Sequence, residues 1–242
     1  AVDTGFIVFN DRTYPNFIRL LDDIGQESQA SEMSFSVQAA DSGIEYSGSS
    51  LNALFSQRRN ILRPPFFRMI RVILRFNKTA LPEIDQLDES DTLSGYLFKN
   101  SYSHEFVDHY LVPMAAAIWS AEPVSVLDMP VKFLVRFFAN HGLLQINDRP
   151  TWHVIKGGSR QYVNKLVAGH SDRIRLNSPV QAIRRTGAGV ELTSASGGTE
   201  RFDYVFVACH SDQALALLED ATPAEREVLG AIRYQHNEAI LH

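Results

Sequence analysis

The sequence predicts an α+β chain in which strand-bearing segments at the two ends flank a largely helical middle. Three observations predict it. Residues 151–212 run as strand, Gly-Gly turn, amphipathic helix, hairpin and apolar strand. Residues 90–142 are rich in Phe, Met and Trp at helical spacing. Residues 2–9 read as a strand interrupted by Gly5.

Each element has its own warrant. Tyr14-Pro15-Asn16 starts a helix with proline in its first turn, Phe17, Leu20, Leu21 and Ile24 form its apolar face, and Gly25 ends it. Met33–Val37 and Ile44–Ser47 alternate around Asp41-Ser42-Gly43, a hairpin signal. Leu51–Phe55 is a short helix, and a longer one starts near Phe66. Asp91–Lys99, Ser103–Trp119 and Val131–Asn140 are further helices; Pro113 should kink the second and Gly142 should close the third. Trp152–Ile155 is a strand that ends at Gly157-Gly158. A helix follows with Tyr162, Val163, Leu166 and Val167 on one side, then a brief strand at Ile174–Leu176. Pro179–Thr186 and Gly189–Ala195 make a hairpin. Tyr204–Ala208 is continuously apolar, the pattern of a strand buried on both faces, and Cys209 just after it is expected to pack in the core. Thr222-Pro223-Ala224-Glu225 is a capping box opening a last helix to about Ile232, and Asn237–His242 has the look of a strand.

Composition narrows the function classes. With 45% hydrophobic and 21% charged residues the chain is ordinary for a globular protein. No apolar run reaches the ~18 residues of a membrane span. A net charge of −5 and the lack of a recognition motif argue against nucleic acid. One cysteine excludes an internal disulfide and fits a reducing cytoplasm. The eight histidines show no metal-binding spacing, so no metal is expected, and no Gly-x-Ser-x-Gly occurs, so a serine nucleophile elbow is unsupported.

The helix from Phe66 carries Arg68, Arg71, Arg75 and Lys78 on one arc, with Phe, Met, Ile and Val around the rest. Its plain reading is a core helix with a solvated basic edge. Its sharper reading is an interfacial helix at an anionic membrane, which would make the chain a lipid-binding module peripheral to the inner face of the membrane.

Several stretches carry a resemblance. "VDTGFIVFNDRTYPNFIRLLDDIG", "RRN", "PMAAAIWS", "NHGLLQ", "RPTW", "GGSRQYV" and "FDYVFVACHSDQALALL" together resemble the flavin-containing amine oxidoreductase superfamily, which includes monoamine oxidases, protoporphyrinogen oxidase and carotenoid desaturases. They are most similar to a bacterial group of NAD/FAD-binding oxidoreductases encoded beside cyclopropane-fatty-acid-synthase-like proteins. The resemblance implies a two-domain fold, with the mixed sheet of an FAD/NAD(P)-binding domain and a helical substrate domain. It assigns residues 1–28 and 151–218 to the cofactor domain, 29–150 to the substrate domain and 219–242 to a return to it. It implies FAD, and hydride removal from a small-molecule or lipid substrate, with a fatty-acyl molecule favoured by the gene neighbours and the aromatic middle. Gly5, Phe6 and Ile7 would lie near the flavin ring, Val180 would pair its backbone with the adenine, and Ala208 would pass the phosphates or ribitol. Phe6 stands where the family has a second glycine. Trp119, His141, Trp152 and His153 are the candidate pocket residues. No Gly-x-Gly-x-x-Gly is present; on the family pattern it would precede Ala1, so the chain is expected to be the middle of a longer oxidoreductase, inactive alone.

Overall fold

A computed structural model describes residue 3, residues 5–234 and residue 236. The expected Asn237–His242 strand, with His242, and residues 1, 2 and 4 of the first strand lie outside the described residues. The chain forms two compact units divided between Ala168 and Gly169.

The first unit opens with β1 (Phe9–Asn10), α1 (Pro15–Asp23) and β2 (Ser28–Ser31). A hairpin of β3 (Ser36–Ala39) and β4 (Ile44–Ser47) follows, then α2 (Leu51–Leu54) and a 3-10 turn at Arg58–Leu62. The helical part contains α3 (Pro64–Ile84), α4 (Leu93–Lys99), α5 (His104–Phe106), a π-helical turn at Val107–Leu111, α6 (Val112–Trp119), α7 (Pro123–Leu127) and α8 (Val131–Asn140). β5 (Trp152–Ile155) and α9 (Arg160–Val167) complete the unit.

β5 is the centre of a three-stranded antiparallel sheet, with Phe9 opposite His153 on one side and Ser28 opposite Ile155 on the other. Among the described residues of the first expected strand, Phe9 alone pairs, together with Asn10 beyond its expected end; residues 5–8 run outside the ladder. The main core lies among the helices, where Phe76, Leu93, Phe106, Leu111, Leu134 and Phe138 are buried together. Thr92 caps α4 by accepting from the Gly95 N–H at 3.2 Å. Backbone bonds from Leu93 to Met129 and from Val131 to Asp91 tie the starts of α4 and α8.

At the expected kink the helix runs through a π turn instead. Pro113 has no N–H for the carbonyl four residues back, that of His109. The buried Tyr46 hydroxyl on β4 donates to this carbonyl at 2.7 Å, so the hairpin supplies the bond the proline withholds. Burial holds the Tyr46 phenol well above its usual pKa, so it stays a donor.

The second unit begins with a 3-10 turn at Ser171–Arg173 and contains β6 (Val180–Thr186), β7 (Gly189–Ser194), β8 (Thr199–Phe202), α10 (Ser211–Leu217) and α11 (Pro223–Ala231). The three strands form an antiparallel meander in chain order. The expected mixed sheet is therefore corrected: among the described residues every ladder is antiparallel, and the one parallel feature is an isolated bridge between Ile183 and Leu218. The Thr222–Glu225 capping box forms in full at the start of α11.

Three expectations fail here. Ile174–Leu176 is not a strand. Tyr204–Ala208 is not a strand either; the ladder ends at Phe202, and Tyr204 and Phe206 are 85% and 97% exposed. Cys209 is exposed rather than packed in a core. An apolar run reports what a segment would gain from cover, and not that the cover is present.

Candidate functional site

A cavity of about 610 Å³ opens in the first unit. One wall is the backbone of Gly5–Val8. Two are the flanks of the β3–β4 hairpin, from Met33 to Phe35 and at Gly48 and Ser49. The remaining wall is helical, with Tyr110, Met114, Ala117, Ile118 and Phe137, and the residues after α8 and before β5 close the ring.

The Gly5–Val8 segment is held by the Gly-Gly turn. Gly157 and Gly158 have φ of +84° and +89°, conformations that L side chains rarely adopt. The turn presents the Ser159 N–H to a carboxylate oxygen of Asp3 at 2.8 Å, and the Ser159 hydroxyl donates to the Phe6 carbonyl at 3.1 Å. The Ser159 N–H thus pins the first segment. Phe6 then packs edge-on against Phe17 of α1, 5.1 Å between ring centres.

The loop from Gly142 to Pro150 is fixed from both ends. Gly142 has φ +69°, and a Cβ there would sit 2.6 Å from the Pro150 ring, so only glycine lets the loop fold back. Arg12 grips Asp148 through a 2.7 Å ion pair and also donates to the Asp148 carbonyl, which holds the Asp148 carboxyl below the usual carboxylate range. Asp11 and Thr151 exchange two further bonds. This loop carries Arg149 to the cavity, with its Nε donating to the Gln145 carbonyl at 2.9 Å.

His141 stacks on Phe137 with ring centres 3.9 Å apart, and its Nδ1 lies 2.9 Å from the Phe137 carbonyl oxygen. A carbonyl only accepts, so Nδ1 carries the proton and Nε2 of the neutral ring is left as an acceptor. Burial pushes the Tyr110 phenol up to about 12 against the pull of the nearby Arg149 charge. Among the described residues, Arg149 is the one Lys or Arg in the cavity lining, and none of them brings a carboxylate to it.

Gly5, Phe6, Ile7, His141 and Trp152 all line this cavity. Trp119 and His153 do not, which corrects their assignment as pocket residues. Trp119 packs among Phe133, Phe137 and Phe138, and His153 stacks on Phe9, as strand alternation from Trp152 requires. Val180 and Ala208 stand on the second unit: Val180 at the start of β6, beside a cleft of about 270 Å³ with Arg173 and Arg175, and Ala208 in the exposed run after β8. Of the four basic residues on α3, Arg68 pairs with Glu105 at 2.7 Å, and Arg75 donates to the Asn100 carbonyl and lies over the Tyr102 ring. These two are occupied within the fold, whereas Arg71 and Lys78 are exposed. Sequence reasoning missed Tyr14, Tyr110 and Arg149. Arg149 had a legible signal, an arginine in the same short segment as Trp152.

The family model described as flavin containing amine oxidoreductase matches residues 1–241. In structure the chain is similar to putrescine oxidase bound to putrescine, with TM-score 0.65 and 14% identity over 93% of this chain and 51% of that one. It is similar to cyclohexylamine oxidase from Brevibacterium oxydans IH-35A, with TM-score 0.65 and 17% identity over 95% and 52%. It is also similar to a CLA-producing fatty acid isomerase from P. acnes, with TM-score 0.58 and 12% identity over 95% and 52%. The chain spans about half the length of these structures, and at such identities the likeness speaks to the fold. No curated protein matches it in sequence.

The cavity fits the ring of a flavin. Gly5 and Gly48 line it, and a Cβ added at either would meet nothing within 4 Å, so the wall beside them is open backbone that a flat ring can approach. Phe6, in place of a second glycine, packs its ring against Phe17 and also lines the cavity.

Proposed function

This chain belongs to the flavin-containing amine oxidoreductase family, and on that premise we propose that it is the central part of an FAD-dependent oxidoreductase acting on an apolar, acyl-chain-like substrate. The observation that carries the reading is the apolar cavity lining: Met33, Phe35, Met114, Ile118, Phe137 and Leu143, with no carboxylate among the described residues. Among the described lining residues a cationic amine meets no carboxylate to neutralise its charge, and an unneutralised buried charge is costly. The volume lies in the ordinary range for a small-molecule site. One structural relative is described as a fatty acid isomerase, which supports the choice of substrate class.

Bound FAD supplies a two-electron acceptor for a hydride from the substrate. The chain's part is to seat the ring against Gly5–Ile7, to exclude water with the Met and Phe walls, and to take the proton. Nε2 of His141 accepts it, because the Phe137 carbonyl fixes the other nitrogen as donor. The purified full-length protein should show flavin bands between about 300 and 550 nm. Under anaerobic conditions those bands should bleach with an unsaturated acyl substrate. Bleaching by simple amines alone would sink the substrate class, and a colourless protein that takes up no FAD would sink the oxidoreductase.

A second reading, a lipid-surface module, is favoured by one face of α3. Phe67, Arg71, Leu74, Lys78 and Leu81 recur every three or four residues and are all exposed. Arg71→Glu with Lys78→Glu should abolish co-sedimentation with anionic vesicles. Unchanged sedimentation of the double variant removes this reading.

A further inference from the structure

The apolar cavity is asymmetric in charge, and one side chain makes it so. Among the described residues its lining contains the Arg149 guanidinium, no other Lys or Arg, and no Asp or Glu. Among the described residues, Arg149 donates from Nε to the Gln145 carbonyl, and its two terminal nitrogens have no hydrogen bond or ion pair. The side chain is exposed, so it stands at the rim. Its neighbour Asp148 is already held by Arg12, which removes the nearest carboxylate from competition. The Gly142–Pro150 approach shapes the loop beneath it, and the bond from Nε to the Gln145 carbonyl orients the guanidinium.

We propose that the cavity admits the chain of a free carboxylic acid and that Arg149 binds its carboxylate at the rim. This rests on the acyl-substrate reading above and goes beyond it, because it selects the free acid over an ester or an amide of the same chain. A guanidinium offers two parallel N–H donors to a carboxylate, a match that an ester carbonyl cannot use in full. The charge of Arg149 already reaches the Tyr110 phenol in the wall, so a carboxylate at the rim lies within its field. Arg149 is a specificity-determining residue; the chemistry takes place deeper, along the chain.

The test uses three probes of one chain length, dodecanoic acid, methyl dodecanoate and dodecylamine, titrated into the purified protein with Trp fluorescence and calorimetry as readouts. The acid should bind about 10- to 100-fold tighter than the ester, as a charge-assisted pair implies. Arg149→Gln should remove that preference and leave ester binding unchanged, which also shows that the variant folds. Arg149→Lys should keep part of the preference. Equal affinity for acid and ester, unaltered by Arg149→Gln, overturns the carboxylate anchor while the apolar-cavity reading stands. Tightest binding of the amine overturns it too. Binding of none of the three overturns both.

Discussion

The two units of this chain solve the burial problem to different degrees. The first packs six helices around Phe76, Phe106, Leu111, Leu134 and Phe138, all fully buried. The second buries Ile183, Ser211 and Ala214 and leaves Leu176, Tyr204, Phe206 and Val228 exposed. The second is held instead by directional bonds. Arg185 on β6 pairs with Asp220 at 2.8 Å and with Glu225 at 2.7 Å, and Ser211 donates to the Leu229 carbonyl while its N–H reaches the Tyr234 hydroxyl. Exposed ion pairs are worth little beside buried apolar area. The contrast teaches that regular strands and helices are no sign of independent stability. The first unit owns its core, and the second has elements whose apolar surface is uncovered within the unit.

Four measurements break or sharpen this contrast. The largest effect is expected in amide hydrogen exchange. Opening free energies should approach the global value in α8 and fall to about zero for residues 203–209, which lie outside every strand and helix. Strong protection of 203–209 would mean that this run is covered in solution. Next, Phe138→Ala should cost about 3–5 kcal/mol in denaturant unfolding, from lost transfer energy and the cavity left behind. Phe206→Ala should stay within about 0.5 kcal/mol. Comparable losses at both positions would erase the distinction between the units.

A smaller effect is expected at Tyr46. Tyr46→Phe strands the His109 carbonyl, for which Pro113 has no N–H, and should cost about 1–3 kcal/mol. A neutral outcome would show that water or a backbone shift serves that carbonyl. The smallest effect is a pH dependence in the second unit. Hydrogen bonding from Arg185, then from Thr222, lowers the Glu225 carboxyl to about 2. Its contribution is therefore complete above the unfolded carboxylate pKa of about 4.3 and is lost as pH falls toward 2. Far-UV melting between these limits should show α11 loosening first, and Glu225→Gln should flatten that response. Identical acid profiles for the two proteins would remove Glu225 from the account.

Much of this was legible in the sequence where one rule sufficed. Helix α8 has the residues its periodicity indicated because Phe133, Leu134, Phe137 and Phe138 keep the 3.6 period up to the Gly142 stop. The Thr222–Glu225 cap needs four residues and no tertiary partner. Sidedness was harder. Trp152 and His153 were both named for one cavity, although period two sends neighbours to opposite faces, and the structure places only Trp152 there. Arg68 and Arg75 share an arc with Arg71 and Lys78, yet Glu105, Asn100 and Tyr102, from later in the chain, take them up. In the second unit the apolar run at 204–208 outweighed the more polar Thr199–Phe202, and the ladder formed on the latter. Pairing depends on what lies alongside, which a local pattern does not contain.

The π turn at Val107–Leu111 has one more consequence. A regular helix advances about 100° per residue, so one extra residue in a turn rotates everything after it by about that angle relative to what came before. Upstream, Phe106 is fully buried against Phe76; downstream, Tyr110, Met114, Ala117 and Ile118 face the cavity. A single helix thus keeps two phases, one set by the core and one by the cavity. Deleting one residue from 107–111 would restore a uniform helix and force a choice between them.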